Sequence, residues 1–185
     1  RRRKIFPEYK AGRKMSVRLN RHLDVSLTRE DEHKMMIRQL NRLSEYLECL
    51  PITMMTMDNI EADDVIGYSS KHIFKDKCTI MSTDKDFLQL VDDRIQVYSP
   101  TKKLMYDEER ILNEYGINAT NFLLYRMLDG DKSDGIPGVK GAGLKTLLKV
   151  FPWLESPHKY SIEDLIKSAT PKMKQYKLCT DIVNS

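Results

Sequence analysis

One short stretch restricts this chain more than any other: Asn59–Gly67, Asn-Ile-Glu-Ala-Asp-Asp-Val-Ile-Gly. Glu61, Asp63 and Asp64 fall within four residues, and the apolar residues Val65, Ile66, Ile73 and Phe74 follow. Carboxylates are almost never buried unless they are paired or hold a cation. The stretch therefore calls for a cation or for a helix N-terminus, where acids oppose the positive end of the dipole. Asp58 with Glu61 has capping-box spacing. Capping accounts for Glu61 and one Asp, not for three acids, and not for the acid pairs farther along.

The flanking sequence predicts where the acids sit. Thr28 opens a helix, and Met36, Leu40, Leu43, Leu47 and Leu50 recur at spacings of four and three, a core-facing stripe that Pro51 ends. Ile52–Met57 reads as a buried strand, residues 60–74 as the acidic helix, and Cys78–Ser82 as a second strand. Strand, helix and strand at this spacing predict a right-handed crossover and a parallel sheet. Ligands of such sheets gather beyond the carboxyl ends of the strands. Glu61, Asp63 and Asp64 follow the first strand, and Asp84 and Asp86 follow the second. Turn and cap chemistry is the plainer explanation of Asp84 and Asp86. Convergence on one sheet edge is what sets them apart.

Beyond them the pattern predicts a short helix over 86–91 and an edge hairpin, Ile95–Tyr98 with Leu104–Tyr106. An Asp107-capped helix then ends at Gly116 with Ile111 and Tyr115 inward. Another, over 121–128, turns Phe122, Leu123 and Met127 to the core. Five of the eight glycines lie at 130, 135, 138, 141 and 143, among Asp131, Asp134, Lys140 and Lys145, before a helix over 144–151. Glycines let backbone N–H groups approach an oxyanion, and a helix N-terminus favours one. The spacing fits neither a Walker loop nor a dinucleotide fingerprint.

Charge is uneven. Residues 1–22 hold nine Lys/Arg against one acid, a net +8, so the rest of the chain sums to −4 of the total +4. A basic arm with Phe6 and Tyr9 interleaved, beside an acidic body, suits a polyanion partner. The alternative is a solvated basic segment. Cys49, Cys78 and Cys179 have no metal-ligand spacing and read as reduced, buried thiols of a cytoplasmic protein. No run approaches the roughly 18 apolar residues of a membrane span. The first residue is Arg, and the ends read as cuts in a longer chain.

Seven acids in three groups, Glu61/Asp63/Asp64, Asp84/Asp86 and Asp131/Asp134, exceed what capping needs. Oxygen ligands without Cys or His select Mg²⁺ or Mn²⁺. A two-ion carboxylate site beside phosphate-binding elements fits phosphodiester hydrolysis. Residues two apart do not share a helix face. Glu61 must therefore lie at or before the first turn if it joins Asp63.

The segments Glu61-Ala-Asp-Asp, Ser82-Thr-Asp-Lys-Asp-Phe, Gly130-Asp-Lys-Ser-Asp-Gly-Ile-Pro-Gly-Val-Lys-Gly-Ala-Gly and Phe6-Pro-Glu-Tyr-Lys-Ala-Gly-Arg together resemble the structure-specific 5′ nucleases. These include flap endonucleases, the 5′-nuclease domain of DNA polymerase I and bacteriophage 5′ exonuclease/RNase H enzymes. The resemblance runs from residue 1 to about 151, strongest to the phage and bacterial branch. It implies an α/β, PIN-like parallel-sheet core with a helical arch and a C-terminal helix–two-turn–helix region. The matching divisions are 1–27 arch, 28–107 core and 108–185 helical DNA-binding region. It implies that Glu61, Asp63, Asp64, Asp84, Asp86, Asp131 and Asp134 hold two divalent ions, Mg²⁺ or Mn²⁺. Lys10 and Arg13 match residues that contact the scissile phosphate. Arg1, Arg2, Arg3, Lys4 and Lys14, with Gly138, Lys140, Gly141, Gly143 and Lys145, fall to DNA binding, with K⁺ at the glycine loop. The implied substrate is DNA with a 5′ flap or end, or an RNA–DNA hybrid, cut by a monomer in the cytoplasm of a bacterial or phage-infected cell. In the family an Asp-bearing strand and a second Asp precede the arm, and both would lie upstream of Arg1. Asp129 takes a place usually apolar, and Gly135 replaces a common Asn. Two other readings stand beside this one: a nucleic-acid-binding module without catalysis, and a PIN-type ribonuclease of single-stranded RNA.

Overall fold

The computed structural model describes residues 2–9 and 28–184. Its sheet has three strands in the order β1 (Cys78–Met81), β2 (Ile95–Ser99) and β3 (Leu104–Tyr106). β1 and β2 are parallel, with Ile80 opposite Val97, so a crossover must join them; residues 82–94 supply it, including a 3₁₀ turn, Lys85–Leu90. β3 returns antiparallel beside β2, with Val97 opposite Tyr106. The sheet is thus mixed, with the expected hairpin at one edge. Along β2, Ile95, Val97 and Ser99 are buried while Gln96 and Tyr98 are only partly so, the period-two alternation of a strand covered on one face.

Eight α-helices accompany the sheet among the described residues, and the last five of them bury residues in the core beside it. α1 spans Arg2–Ile5, α2 Arg29–Glu48, α3 Ala62–Tyr68, α4 Glu108–Tyr115, α5 Phe122–Asp129, α6 Leu144–Val150, α7 Ile162–Ala169 and α8 Lys177–Val183. Asp107 caps α4 by accepting from the Arg110 N–H, and Gly116 ends it at φ 65°, a left-handed turn that glycine adopts without strain. One apolar cluster runs from Ile80 to Ile182, with Ile95, Ile111, Phe122, Leu147, Phe151 and Leu154 wholly buried. Tyr115, Phe122 and Tyr125 pack edge-to-face or tilted, at 5.1 to 6.2 Å between centroids. Burial pushes the Tyr115 phenol up to about 12. Asn121 is buried, yet its amide is saturated: Nδ2 donates to the carbonyls of Leu154, Ser156 and His158, and Oδ1 accepts from the Tyr160 N–H. That one side chain fixes the loop between α6 and α7.

Four expectations are overturned here. Residues 52–57 form no strand and are exposed. β1 pairs only with β2 among the described residues, and a groove of about 410 Å³ separates Thr53 and Met55 from the Cys78–Met81 edge. A strand needs a neighbour for its N–H and C=O groups, and the described chain offers residues 52–57 none. The crossover predicted between 52–57 and β1 is therefore found one strand later, between β1 and β2. Secondly, α2 forms with the Thr28 capping box as expected, but its stripe is not core: Leu40, Leu43 and Leu50 are about half exposed, and no described residue of the helix is buried. Thirdly, α5 is rotated: Leu123 and Met127 are exposed, while Leu124, Tyr125 and Leu128 join Phe122 inside. Fourthly, only Cys179 is a buried thiol; Cys49 is exposed and Cys78 intermediate.

The acidic helix forms but starts later than a box at Asp58 would set it. Glu61 is its N-cap, and α3 passes into a π-helical turn, Ser69–Ile73. Arg94 ties off that turn by donating to the carbonyls of Ser70, Phe74 and Asp76. Lys71 pairs with Asp92 at 2.7 Å, joining the same turn to the start of β2.

Candidate functional site

Three loops bring the acids together. Glu61, as N-cap, lies one position ahead of the first turn of α3, as sharing a site with Asp63 requires. Its carboxylate does not cap the helix. It accepts from Arg2 at 2.9 Å and from the Tyr9 hydroxyl at 3.1 Å. Arg2 also reaches Asp64 at 2.7 Å and Asp63 at 3.9 Å, so one guanidinium spans the whole first acid group. The hydrogen bond with Tyr9 and then that with Asp64 hold Arg2 above its ordinary value against the opposing effect of burial.

The second group follows β1. Asp84 caps the 3₁₀ turn, accepting from the Asp86 N–H at 2.9 Å, so the plainer turn role is real. Asp86 faces Arg126 of α5, whose Nε lies 2.7 Å from Oδ1. The third group sits in a tight loop closed by the pairing of Asp131 with Ile136. Asp131 Oδ1 accepts from the Ser133 hydroxyl at 2.6 Å, the Ser133 N–H at 2.8 Å and the Asp134 N–H at 3.3 Å. The Ser133 hydroxyl foremost, against burial and with the two N–H groups and Arg126 adding, holds the Asp131 carboxyl below the usual carboxylate range.

The groups meet at a cavity of about 600 Å³ lined by Arg2, Asp63, Asp84, Asp86, Asp131 and Asp134, with Phe6, Tyr9, Ile136 and Pro137 among its apolar and aromatic parts. Glu61 and Asp64 stand behind it on Arg2. Among the described residues no three of His, Cys, Asp and Glu are grouped to hold one ion. Among the described residues two guanidiniums carry counter-charge here, Arg2 beside the first acid group and Arg126 beside the second and third. The lining donors are carboxylate oxygens with no Cys or His, which fits a hard divalent cation.

The glycines divide into two kinds. A Cβ on Gly130 would meet Gly138 N at 2.3 Å, and one on Gly138 would meet the Asp129 carbonyl oxygen at 2.2 Å. These two allow the loop to close on itself and so place Asp131. Gly141, at φ 85°, and Gly143 face open space. With exposed Lys140 and Lys145 they form an accessible backbone edge ahead of α6.

Of the expected arm, Lys4 is exposed on α1. Arg1, Lys10, Arg13 and Lys14, and the side chain of Arg3, lie outside the described residues. Sequence reading passes over Ser133 and Arg126, and gives Tyr9 a place in the arm but not its hydrogen bond to Glu61. Arg126 was open to detection: it is the one charge within Phe-Leu-Leu-Tyr-Arg-Met-Leu, five residues before Asp131. An ion in an apolar helix needs a partner.

Residues 1–116 match the family described as 5′-3′ exonuclease, N-terminal resolvase-like domain. The chain is 36% identical over 149 residues to a 5′-3′ exonuclease of Buchnera aphidicola subsp. Acyrthosiphon pisum, covering 80% of this chain and 46% of that protein. It is 36% identical over 134 residues to the thermostable DNA polymerase I of Thermus thermophilus, covering 71% of this chain and 15% of that protein. Its fold is similar, with a TM-score of 0.74 and 21% identity, to the bacteriophage T5 D15 flap endonuclease in a pseudo-enzyme-product complex with DNA and metal ions, over 100% of this chain and 64% of that one. The chain thus spans less than half the length of both of these relatives.

Proposed function

Since the chain belongs to the family of the 5′-3′ exonuclease N-terminal resolvase-like domain, we propose that it is the nuclease part of a divalent-metal-dependent 5′ nuclease. Its substrates are the 5′ ends or flaps of branched DNA, or RNA–DNA hybrids, and its place is the cytoplasm of a bacterial or phage-infected cell. The observation that carries this reading is the single cavity in which carboxylates from three distant segments, around 63, 84 and 131, face one another. Arg2 and Arg126 offset part of the repulsion among these carboxylates, and divalent cations would offset the remainder.

In this reading Glu61, Asp63, Asp64, Asp84, Asp86, Asp131 and Asp134 hold the metal, Mg²⁺ or Mn²⁺. Two such ions, when bound, supply a deprotonated water and neutralise the leaving oxygen. The chain's own work is positioning. Asp131 is kept ionised by its turn and accepts no proton near neutral pH. Lys10 and Arg13 hold the scissile phosphate, and Arg1, Arg3, Lys4 and Lys14 its neighbours. Arg2, whose guanidinium is engaged by Glu61 and Asp64, acts on phosphate only if it leaves them. Gly138, Lys140, Gly141, Gly143 and Lys145 grip duplex phosphates through exposed backbone N–H groups and ammonium charge, with K⁺ at the loop. The regions 1–27, 28–107 and 108–185 divide this work as arch, metal-binding core and duplex-binding helices, in a monomer.

The test is cleavage of a 5′-flap DNA, a blunt duplex and a single-stranded RNA by the purified protein. Mg²⁺-dependent cutting of the flap, abolished by chelator and by Asp84→Ala with flap binding retained, is the expected result. Equal cutting by Asp84→Ala sinks the assignment. Salt-sensitive flap binding without cutting in Mg²⁺ or Mn²⁺ supports a binding module instead. That second reading draws on the absence of any three described metal-ligating side chains grouped for one ion. Preference for single-stranded RNA would favour the ribonuclease.

A further inference from the structure

We infer that Arg126 is a positioning residue: its guanidinium ties Asp86 to Asp131 and so sets the spacing between the second and third acid groups. The inference rests on the metal-site reading above. Three nitrogens of one side chain reach three carboxylates. Nε is 2.7 Å from Asp86, one terminal nitrogen is 3.1 Å from Asp129, and the other is 3.2 Å from Asp131. The Arg126 side chain is only 13% exposed, while Asp86 at 48% still meets solvent, so the tie rests on the fixed fork of the guanidinium more than on burial. Asp86 and Asp131 are 45 positions apart in sequence and sit on unconnected loops, and Arg126 reaches both from α5.

The two acids depend on this tie unequally. Asp131 is already held at its other oxygen by Ser133 and by the Asp134 N–H. Among the described residues, the Asp86 carboxylate accepts a hydrogen bond from Arg126 alone. Without Arg126 the third group keeps its shape, and Asp86 becomes free to swing. A lysine would keep the charge but could not span three carboxylates, because an ammonium is a point charge and a guanidinium is a planar fork.

This separates positioning from mere counter-charge. If Arg126 only neutralised the acids, removing it would raise the affinity for a divalent cation. If it positions them, removal lowers that affinity despite the lost positive charge. The probe is Mn²⁺ alone, titrated calorimetrically into the wild-type protein, Arg126→Met and Arg126→Lys, without DNA. Both variants are expected to bind Mn²⁺ roughly tenfold to a hundredfold more weakly, the usual loss when a partner of metal ligands is removed. Arg126→Met binding as tightly as wild type or more so overturns the inference, and so does wild-type affinity in Arg126→Lys. Arg126→Lys keeps the charge and most of the bulk, so it decides the matter if Arg126→Met does not fold.

A second arm tests the tie without metal. In chelator, the melting temperatures of Arg126→Lys, Asp86→Asn and the double variant form a cycle. Non-additive effects are expected, and strict additivity overturns the tie. A wild-type protein that binds no Mn²⁺ would sink the metal reading, and the cycle would still decide whether Arg126 holds Asp86.

Discussion

The two halves of this chain hold their apolar residues very differently. From Ile80 to Ile182 they form one buried cluster. From Thr28 to Thr79 no described apolar residue is buried: Ile52, Met55, Met57, Ile60, Ile73 and Phe74 are all exposed by roughly half. Yet the open half carries a regular pattern too, the stripe Met36, Leu40, Leu43, Leu47 and Leu50. A periodic stripe fixes which face of a helix is apolar. It does not supply the surface that covers that face. The candidate site lies on the seam, with one acid group from the open half and two from the packed half.

The contrast is open to attack by substitution. The largest effect is expected at Phe122, wholly buried between Tyr115 and Tyr125. Phe122→Ala should cost about 3–5 kcal/mol of stability in denaturant unfolding. Leu43→Ala, at a side chain about half exposed on α2, should cost less than about 1 kcal/mol in the same assay. Similar losses at both positions would mean that α2 is covered in solution.

The glycine loop offers a smaller contrast. Gly138→Ala forces a Cβ against the Asp129 carbonyl and should cost about 1–3 kcal/mol. Gly141→Ala meets open space and carries only the strain of a positive φ, about 1 kcal/mol. It should leave Mn²⁺ binding unchanged, whereas Gly138→Ala should weaken it by displacing Asp131. Equal effects of the two on Mn²⁺ binding would erase the division between closing glycines and open ones.

The smallest effect is one of pH. The Asp131 carboxyl is depressed in the folded protein relative to about 3.9 in an unfolded chain. A depressed acid contributes stability that is fully present above the unfolded value and is lost as pH falls through the folded one. Unfolding free energy followed from pH 6 down to about 2 should therefore fall less steeply in Asp131→Asn than in wild type. Parallel curves would deny the Ser133 turn its part.

What was legible in the sequence follows the same seam. The hairpin Ile95–Tyr106, the Asp107 cap and the Gly116 stop are legible because turns and caps depend on neighbours in sequence. The convergence of Asp84 with Asp131, 47 positions apart, comes from the family resemblance and not from local spacing. Residues 52–57 differ from expectation because a strand exists only with a partner, and no described strand pairs with them. The facing of α5 differs from expectation at Leu123 and Met127, since every position but Arg126 and Asp129 is apolar or aromatic and more than one face can serve as the buried one. The roles of Arg126 and Tyr9 depend on contacts 40 and 52 residues away, which no local spacing encodes.

The most direct test of the central claim is the Mn²⁺ affinity of Asp84→Asn and Asp131→Asn, two carboxylates 47 positions apart in sequence, against Asp93→Asn, which removes the same charge from an exposed turn outside the cavity. Calorimetric titration should find the two cavity variants weakened at least about tenfold and Asp93→Asn close to wild type. Wild-type affinity in either cavity variant, or an equal loss in all three, would mean that the acids do not act as one cation site.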